Sequence, residues 1–185
     1  MFKPAKTISI GITNYSQPLQ NGDAEIGDHR LWWIFGQNDV SSRIKLTSGG
    51  YGNSSYAFKH DGHRDVRNRG MLQKMDGTCF PAGSSWNITA KFRYFKEDGT
   101  PASCKKREWQ GNETCPTFQM LPEGELKGNP LLNEDNSTMI EGEWNDIHNI
   151  YTVGANEYLS ELHILVTAVN SGFNYELDNI DIAQV

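Results

Sequence analysis

The sequence predicts an all-β fold, a jelly-roll β-sandwich, and two patterns lead to this prediction. Many short segments alternate apolar and polar residues, as strands with one buried and one polar face do. Turn clusters rich in Gly and Asn separate these segments, and Gly supplies 18 of the 185 residues. Closely spaced strands joined by such turns are typical of sandwiches and jelly rolls. The sequence contains no helical amphipathic stretch of useful length and no internal repeat.

The first half of the chain contains four predicted strands. In one of them Ile44 and Leu46 share a face, and the turn cluster at 48–53 separates this strand from the next. The four strands cover residues 7–12, 31–35, 43–47 and 56–59.

The clearest strand covers residues 86–95. Its apolar face consists of Trp86, Ile88, Ala90, Phe92 and Tyr94, and its polar face of Asn87, Thr89, Lys91 and Arg93. Residues 96–140 are predicted to be a long loop insert, and a loop of this length is usually functional or partly disordered. Regular strands resume at 144–153, 159–169 and 173–182.

The alternation of the last strand shifts by one residue. Its apolar residues are Phe173, Tyr175 and Leu177 before the shift, and Ile180 and Ile182 after it. A shift of one residue turns the apolar set to the other face, so we expect a β-bulge at Asp178 and Asn179.

This acidic bulge has a counterpart in the acidic turn at 21–27. Hard cations take several oxygen ligands and mix carboxylates with backbone carbonyls. Acidic segments beside the first and last strands of a sandwich could therefore hold a calcium ion between them. The alternative is a solvated acidic turn next to an ordinary strand end.

Size and charge limit the possible functions. The length predicts a single β-sandwich domain over residues 1–185, which we interpret as a domain excised from a longer protein, and we expect it to be monomeric. A net charge of −6 argues against a nucleic-acid partner, because phosphate binding needs concentrated cations. No apolar run approaches the ~20 residues that a membrane span needs.

Five N-glycosylation sequons indicate a secreted protein. They are centred on Asn14, Asn53, Asn87, Asn112 and Asn136. The first four residues lack the apolar region of a signal peptide, so a secreted form would be a mature chain or an excised domain.

Two of the three cysteines flank a polar stretch. Cys104 and Cys115 could close this stretch with a disulfide. Cys79 would then be left over, either buried as a small hydrophobic residue or competing for one of the other two.

Short segments along nearly the whole chain carry a resemblance to a known family. They are residues 19–25, 31–33, 54–59, 64, 70–73, 81–93, 142–144 and 175–180. In order and spacing they resemble the calcium-containing jelly-roll carbohydrate-binding modules of families 4, 9, 16 and 22.

This resemblance implies a structural calcium that ties the ends of the domain together. Glu25 and Asp178 would supply side-chain oxygens, and Asp23 a carbonyl oxygen. Carbonyls of Gly50 and Asn53 would complete the shell. The ion would stabilise the domain rather than take part in chemistry.

The resemblance also implies a polysaccharide or glycan partner. The family often places an exposed aromatic residue within the stretch that matches 64–69, but arginines stand there. Arg64 and Arg69 suggest an anionic polysaccharide, since guanidinium groups match carboxylates and sulfates, with solvated arginines as the alternative. Gln73 would bind the ligand or be a satisfied buried amide. Trp109 would be a binding platform or would pack the insert against the sandwich.

The remaining tryptophans are expected in the core. Trp86 lies on the apolar face of its strand, while Trp144 and one of Trp32 and Trp33 match core positions of the family.

Two other functions remain possible. Some jelly-roll sandwiches are polysaccharide lyases, which need a cation near the uronate and a His or Tyr as acid and base. Arg64 with His60, His63 and Tyr56 resembles such a set only faintly, and we expect no enzyme and no catalytic residues. Alternatively, the sandwich is a cell-surface or adhesion module whose insert contacts another protein.

Overall fold

The structure is a computed structural model, and it describes residues 18–35, 42–64, 69–104, 115–122, 129–130 and 139–185. Within these ranges the chain forms ten strands and one turn of 3-10 helix. The strands are β1 (Trp33–Phe35), β2 (Arg43–Ser48), β3 (Tyr56–Asp61), β4 (Gly70–Asp76), β5 (Ser85–Lys96), β6 (Thr117–Pro122), β7 (Asn129–Pro130), β8 (Asn145–Thr152), β9 (Glu161–Thr167) and β10 (Phe173–Gln184). The 3-10 turn covers Gly77–Cys79.

Several predicted features lie outside the described residues. They are the strand at 7–12, the sequons at Asn14, Asn112 and Asn136, and Trp109.

The strands form two five-stranded antiparallel sheets packed face to face. Sheet I has the order β1-β4-β9-β6-β7, and sheet II has the order β2-β3-β10-β5-β8. The predicted all-β sandwich is therefore confirmed. Among the described residues, no helix is long and apolar enough to cross a membrane.

The core fills the space between the inner faces of the sheets. The apolar face predicted for the central strand is confirmed, because alternate residues of β5 from Trp86 to Tyr94 are buried. They pack with apolar residues of the other sheet such as Met71, Phe118 and Ile164 in one continuous cluster. Burial of apolar surface of this kind is the main term that favours folding.

The predicted bulge in the last strand is also confirmed. The pairing of β10 with β5 runs through Asp178 opposite Lys91, then shifts and resumes with Asp181 opposite Thr89. Between them Asn179 has a φ angle of 45°, which Asn tolerates better than most residues. The bulge lets the ladder continue while it redirects the Asp178 side chain.

The segment at 96–140 is not a loop throughout, in contrast to the prediction. Its strand β6 pairs with β9 on one side and with β7 on the other, so it lies inside sheet I. Phe118 and Met120 point into the core. The pattern was hard to detect because the alternation is short and ends at Pro122, and proline usually marks a strand edge.

The disulfide between Cys104 and Cys115 is present in the structure. Cys79 is not paired and is partly buried. Burial, together with the negative charge of Asp76, raises the pKa of the Cys79 thiol. The bond closes the chain between β5 and β6, so it holds the start of β6 near the core.

Reduction of this disulfide is expected to lower the free energy of unfolding by about 2.5 kcal/mol, because it releases a constraint of 11 residues on the unfolded chain. Thermal unfolding with and without a thiol reductant measures the effect. The Cys79→Ser variant should show the same decrease, whereas an equal melting temperature in both buffers would contradict the prediction.

Candidate functional site

Acceptor oxygens from two segments surround the hydroxyl group of Ser54. The Glu25 carboxylate accepts hydrogen bonds from Ser54 Oγ at 2.8 Å and from the Tyr56 backbone N–H at 3.0 Å. The carbonyl oxygens of Tyr56 and Asp23 lie 2.7 Å and 3.5 Å from the same Oγ. One hydroxyl hydrogen cannot satisfy all three acceptors at once. We call these oxygens, together with the carboxylate of Asp178, the oxygen cradle.

Asp178 reaches the oxygen cradle from the bulge in β10. Its carboxylate is buried and accepts hydrogen bonds from the N–H groups of Tyr51 at 2.6 Å and Asn179 at 2.8 Å. A Cβ atom on Gly50 would lie 2.4 Å from Asp178 Oδ2 and 2.3 Å from the Tyr56 carbonyl oxygen. Both oxygens therefore border a space that only glycine leaves open at this position.

The two carboxylates of the cradle have opposite pKa shifts. Burial raises the pKa of Asp178, and the negative charge of Glu25 adds to this effect, against the hydrogen bonds from Tyr51 and Asn179. Hydrogen bonds from Ser54 and from the Tyr56 backbone lower the pKa of Glu25. Asp178 is therefore the carboxylate that a neighbouring cation would stabilise most in its charged form.

The donor set of the cradle suits a hard cation. It combines two carboxylates with backbone carbonyls and a hydroxyl, and calcium accepts such a mixture of oxygens. In the part of the chain that the structure describes, no three His, Cys, Asp or Glu side chains are close enough to hold a metal. A calcium ion in the cradle would therefore depend on carbonyl oxygens as well as on Glu25 and Asp178.

The structure brings together four of the five predicted calcium ligands. Asp23, Glu25 and Asp178 contribute oxygens, and Gly50 borders the same space. Asn53 is exposed in the adjoining turn. The second carbonyl oxygen of the cradle belongs instead to Tyr56, which the sequence did not identify. Ser54 was missed as well, although both residues lie in a segment that carried the family resemblance.

A backbone contact joins the same two ends of the domain next to the cradle. The Ile180 N–H donates to the Gly22 carbonyl oxygen at 3.0 Å. A Cβ atom on Gly22 would lie 2.0 Å from the Ile180 carbonyl oxygen, so the two backbones touch. The link between the acidic turn and β10 thus exists in the protein chain itself.

The predicted ligand-binding residues among the described ranges are buried. Arg64 and Arg69 are 1% and 7% exposed, so neither is a solvated surface arginine. Gln73 faces the core, where its amide accepts from the Gln20 N–H at 2.9 Å and donates to the Gln20 carbonyl at 3.0 Å. This is the arrangement of a satisfied buried amide.

Two of the three core tryptophans expected from the sequence are confirmed, and the third is not. Trp32 and Trp86 are core residues, and Trp32 packs on Phe58 at a centroid distance of 5.4 Å. Trp33 is 47% exposed on the edge strand of sheet I. The core position expected for Trp144 is wrong, because this ring is only partly buried on the outer side of sheet II.

The outer face of sheet I combines an exposed aromatic ring with polar groups. Trp33 lies opposite Leu72, which belongs with Leu121 and Leu165 to a small apolar cluster separate from the main core. Further along the same face, Glu161 accepts hydrogen bonds from Lys74 and His163. We call the surface formed by Trp33, Lys74, Glu161 and His163 the Trp33 face.

The aromatic residues on the outer face of sheet II already have partners. The Arg93 guanidinium lies 4.5 Å from the centre of the Trp144 ring and also binds the buried carboxylate of Glu176. The Lys91 ammonium lies 4.1 Å from the centre of the Tyr51 ring. Cations therefore occupy ring faces on which a sugar would otherwise stack.

Two of the five sequons lie within the described residues. Asn53 is exposed in the turn beside the oxygen cradle, and Asn87 is partly buried on the outer side of sheet II. A glycan on Asn87 would therefore project from the sheet opposite the Trp33 face.

Comparison with solved structures defines the fold. The xylan-binding CBM22-2 domain of Paenibacillus barcinonensis Xyn10C matches with a TM-score of 0.63, over 89% of this chain and 98% of that domain. Its sequence identity is 15%. The fold is that of a jelly-roll carbohydrate-binding module.

Other modules show the same similarity. The C-terminal family 22 module of Clostridium thermocellum Xyn10B has a TM-score of 0.62 at 14% identity and covers 90% of this chain and 96% of the module. A family 4 module has a TM-score of 0.53 at 13% identity and covers 90% of this chain and 99% of that module. No protein-family model and no curated protein sequence matches the chain. Identities of this size establish the fold of the carbohydrate-binding modules and leave ligand choice to the residues of this chain.

Proposed function

We propose that the protein is a non-catalytic carbohydrate-binding module stabilised by a structural calcium ion. The observation that carries the proposal is end-to-end agreement with a xylan-binding domain, over 89% of this chain and 98% of that domain. The exposed Trp33 face supports it, because sugar recognition combines an aromatic ring with a few fixed polar groups.

The Trp33 face is proposed as the binding surface for a polysaccharide. The indole ring of Trp33 would stack on the apolar face of a pyranose ring. Glu161 would accept hydrogen bonds from sugar hydroxyls, and it is held in place by Lys74 at 3.0 Å and by His163. These groups belong to the paired strands β4 and β9, so sheet I fixes their positions before a ligand binds.

The oxygen cradle is the proposed calcium site. Glu25 and Asp178 would provide the negative charge, and the carbonyl oxygens of Asp23 and Tyr56 would complete the shell with Ser54 Oγ. The bound ion would neutralise the two carboxylates and hold the acidic turn against β10. Because it would link two segments that are distant in sequence, its role would be stability rather than catalysis.

A secreted, monomeric module fits these properties. The Cys104–Cys115 disulfide is typical of oxidising compartments, and the Asn53 sequon lies on an exposed turn where a glycan fits. An anionic polysaccharide remains the more specific proposal for the ligand, since guanidinium groups match carboxylates and sulfates and the Arg64 guanidinium has no acceptor among the described residues.

Trp33→Ala is expected to weaken polysaccharide binding about tenfold, because a stacked aromatic contributes about 1.5 kcal/mol. Affinity electrophoresis in gels that contain xylan or polygalacturonate measures the change. Retardation of the wild-type protein by polygalacturonate and not by xylan would identify an anionic ligand. Tyr158→Ala removes a more exposed ring from another loop and should bind like the wild type.

Failure of the wild-type protein to bind any polysaccharide would reject the proposal. The exposed ring of Trp33 would then favour a cell-surface module that contacts another protein.

A further inference from the structure

A buried arginine lies at the end of the sandwich where β3 leaves sheet II. Arg64 is 1% exposed, and none of its three guanidinium nitrogens has a hydrogen-bond acceptor in the described part of the chain. The centre of the Tyr175 ring lies 5.9 Å from the guanidinium carbon. A cation–π contact at this distance is weak and leaves every N–H donor unused. Charged groups in protein interiors are otherwise paired.

His60 adds another unused donor beside this guanidinium. The Tyr175 hydroxyl oxygen accepts the Met71 N–H at 2.7 Å and lies 3.1 Å from His60 Nδ1. We assign the hydroxyl as the donor of this second hydrogen bond and Nδ1 as its acceptor. Burial and the positive charge of Arg64 lower the pKa of His60 to about 3, so the ring is neutral at pH 7. Its one hydrogen is then on Nε2, which is buried and has no acceptor among the described residues.

Nearby carboxylates do not fill this gap. The negative charges of Glu97 and Asp61 act on Arg64 through space, yet each has another partner. Asp61 pairs with Lys45 on sheet II, and Glu97 lies 3.5 Å from His63 Nδ1. The site thus gathers six N–H donors, five from the guanidinium and one from the imidazole, without an acceptor among the residues that the structure describes.

We propose that Arg64 and His60 form a binding site for a carboxylate group. The two oxygens of a carboxylate match the planar fork of a guanidinium, and a third hydrogen bond can come from His60 Nε2. The contact between the Tyr175 hydroxyl and Nδ1 leaves Nε2–H of the imidazole for this third bond. This site would give the proposed module a group that recognises an anionic ligand. The inference rests on the proposed function only if the carboxylate belongs to an acidic sugar.

The test is a titration of wild-type protein with sodium formate, compared with sodium chloride at equal ionic strength. We expect saturable changes in the ¹⁵N signals of Arg64 Nε and His60 Nε2, together with a higher melting temperature. Equal changes in chloride, or none in formate, would overturn the proposal without any variant. Because this readout needs only the native protein, it does not depend on whether a variant folds.

Arg64→Met provides the second measurement, with Arg30→Met as a matched control whose side chain is 85% exposed. Arg64→Met should melt at or above the wild type in chloride, because it removes an unpaired buried charge, and should lose the formate effect. Arg30→Met should keep that effect. A formate response that persists in Arg64→Met, or a lower melting temperature of that variant in chloride, would contradict the assignment.

The same melting-temperature assay with glucuronate, and with glucose as the uncharged control, identifies the source of the carboxylate. A larger increase in melting temperature with glucuronate than with formate identifies an acidic sugar, and an equal increase identifies a free carboxylate. Both support the site. Trp33→Ala should lose polysaccharide binding and keep the formate response. The polysaccharide surface and the carboxylate site are therefore tested by different measurements, and either proposal can fail without the other.

Discussion

Asp178→Ala is expected to lower the melting temperature by more than about 10 °C and to remove its dependence on calcium. The carboxylate is buried and accepts hydrogen bonds from Tyr51 and Asn179, whose N–H groups would lose their partner. Two partly buried donors left without an acceptor would cost roughly 4 kcal/mol together, which corresponds to this shift in a domain of about this size. The oxygen cradle would also lose one of its two carboxylates.

The measurement is thermal unfolding of unmodified protein with calcium and with excess chelator. The wild type should melt several degrees lower in chelator, while Asp178→Ala should melt at one temperature in both buffers. Glu157→Ala is the control, because this carboxylate lies in the loop between β8 and β9 and accepts its hydrogen bond from the Gly154 N–H there. A calcium response that survives in Asp178→Ala would reject the site.

Gly50→Ala should destabilise the protein by about 3 kcal/mol or more and abolish the calcium response. The added Cβ atom would lie 2.3 Å from the Tyr56 carbonyl oxygen, 2.4 Å from Asp178 Oδ2 and 2.6 Å from Ser54 Oγ. Backbone at this position cannot move without shifting β3, so the strain of overpacking is not easily relieved. The methyl group would occupy the space proposed for the ion.

Gly52→Ala separates this effect from the cost of altering the turn. Gly52 has a φ angle of 64° and no atom within 4 Å of the Cβ position, so alanine there meets only backbone strain of roughly 1 kcal/mol. Chemical denaturation of both variants gives the difference in unfolding free energy. If the two substitutions destabilise the protein equally and calcium binding is retained, the space beside Gly50 is not the site of the ion.

Much of the fold could be predicted because the two-residue period of a half-buried strand is visible without knowledge of its neighbours. β5 alternates over its whole length, and the phase shift in β10 identified the bulge that places Asp178. The strand β6 was missed because only Phe118 and Met120 mark its inner face within a polar region. Its place beside β9 depends on hydrogen bonds to a strand that is distant in sequence, and local periodicity carries no information about such pairing.

The candidate site was predictable only in part for a related reason. Sequence alternation assigns residues to two faces, but it does not tell which face a second sheet covers. Gln73 therefore remained ambiguous until the contact with Gln20 was known, and Trp33 could not be separated from Trp32. For Arg64 the charge suggested an exposed position, whereas the structure buries the guanidinium beside His60.

The contacts around the oxygen cradle also determine how the domain would carry a mechanical load. Residues 22–25 and 178–180 are joined directly through Gly22 and Ile180, and both segments bind the turn that leads into β3. Tension that reaches these two segments would pass across their junction and bypass the 152 residues between Ile26 and Leu177, counted inclusively. The sheets would be shielded from force until that junction opened, and a bound calcium ion would raise the force required.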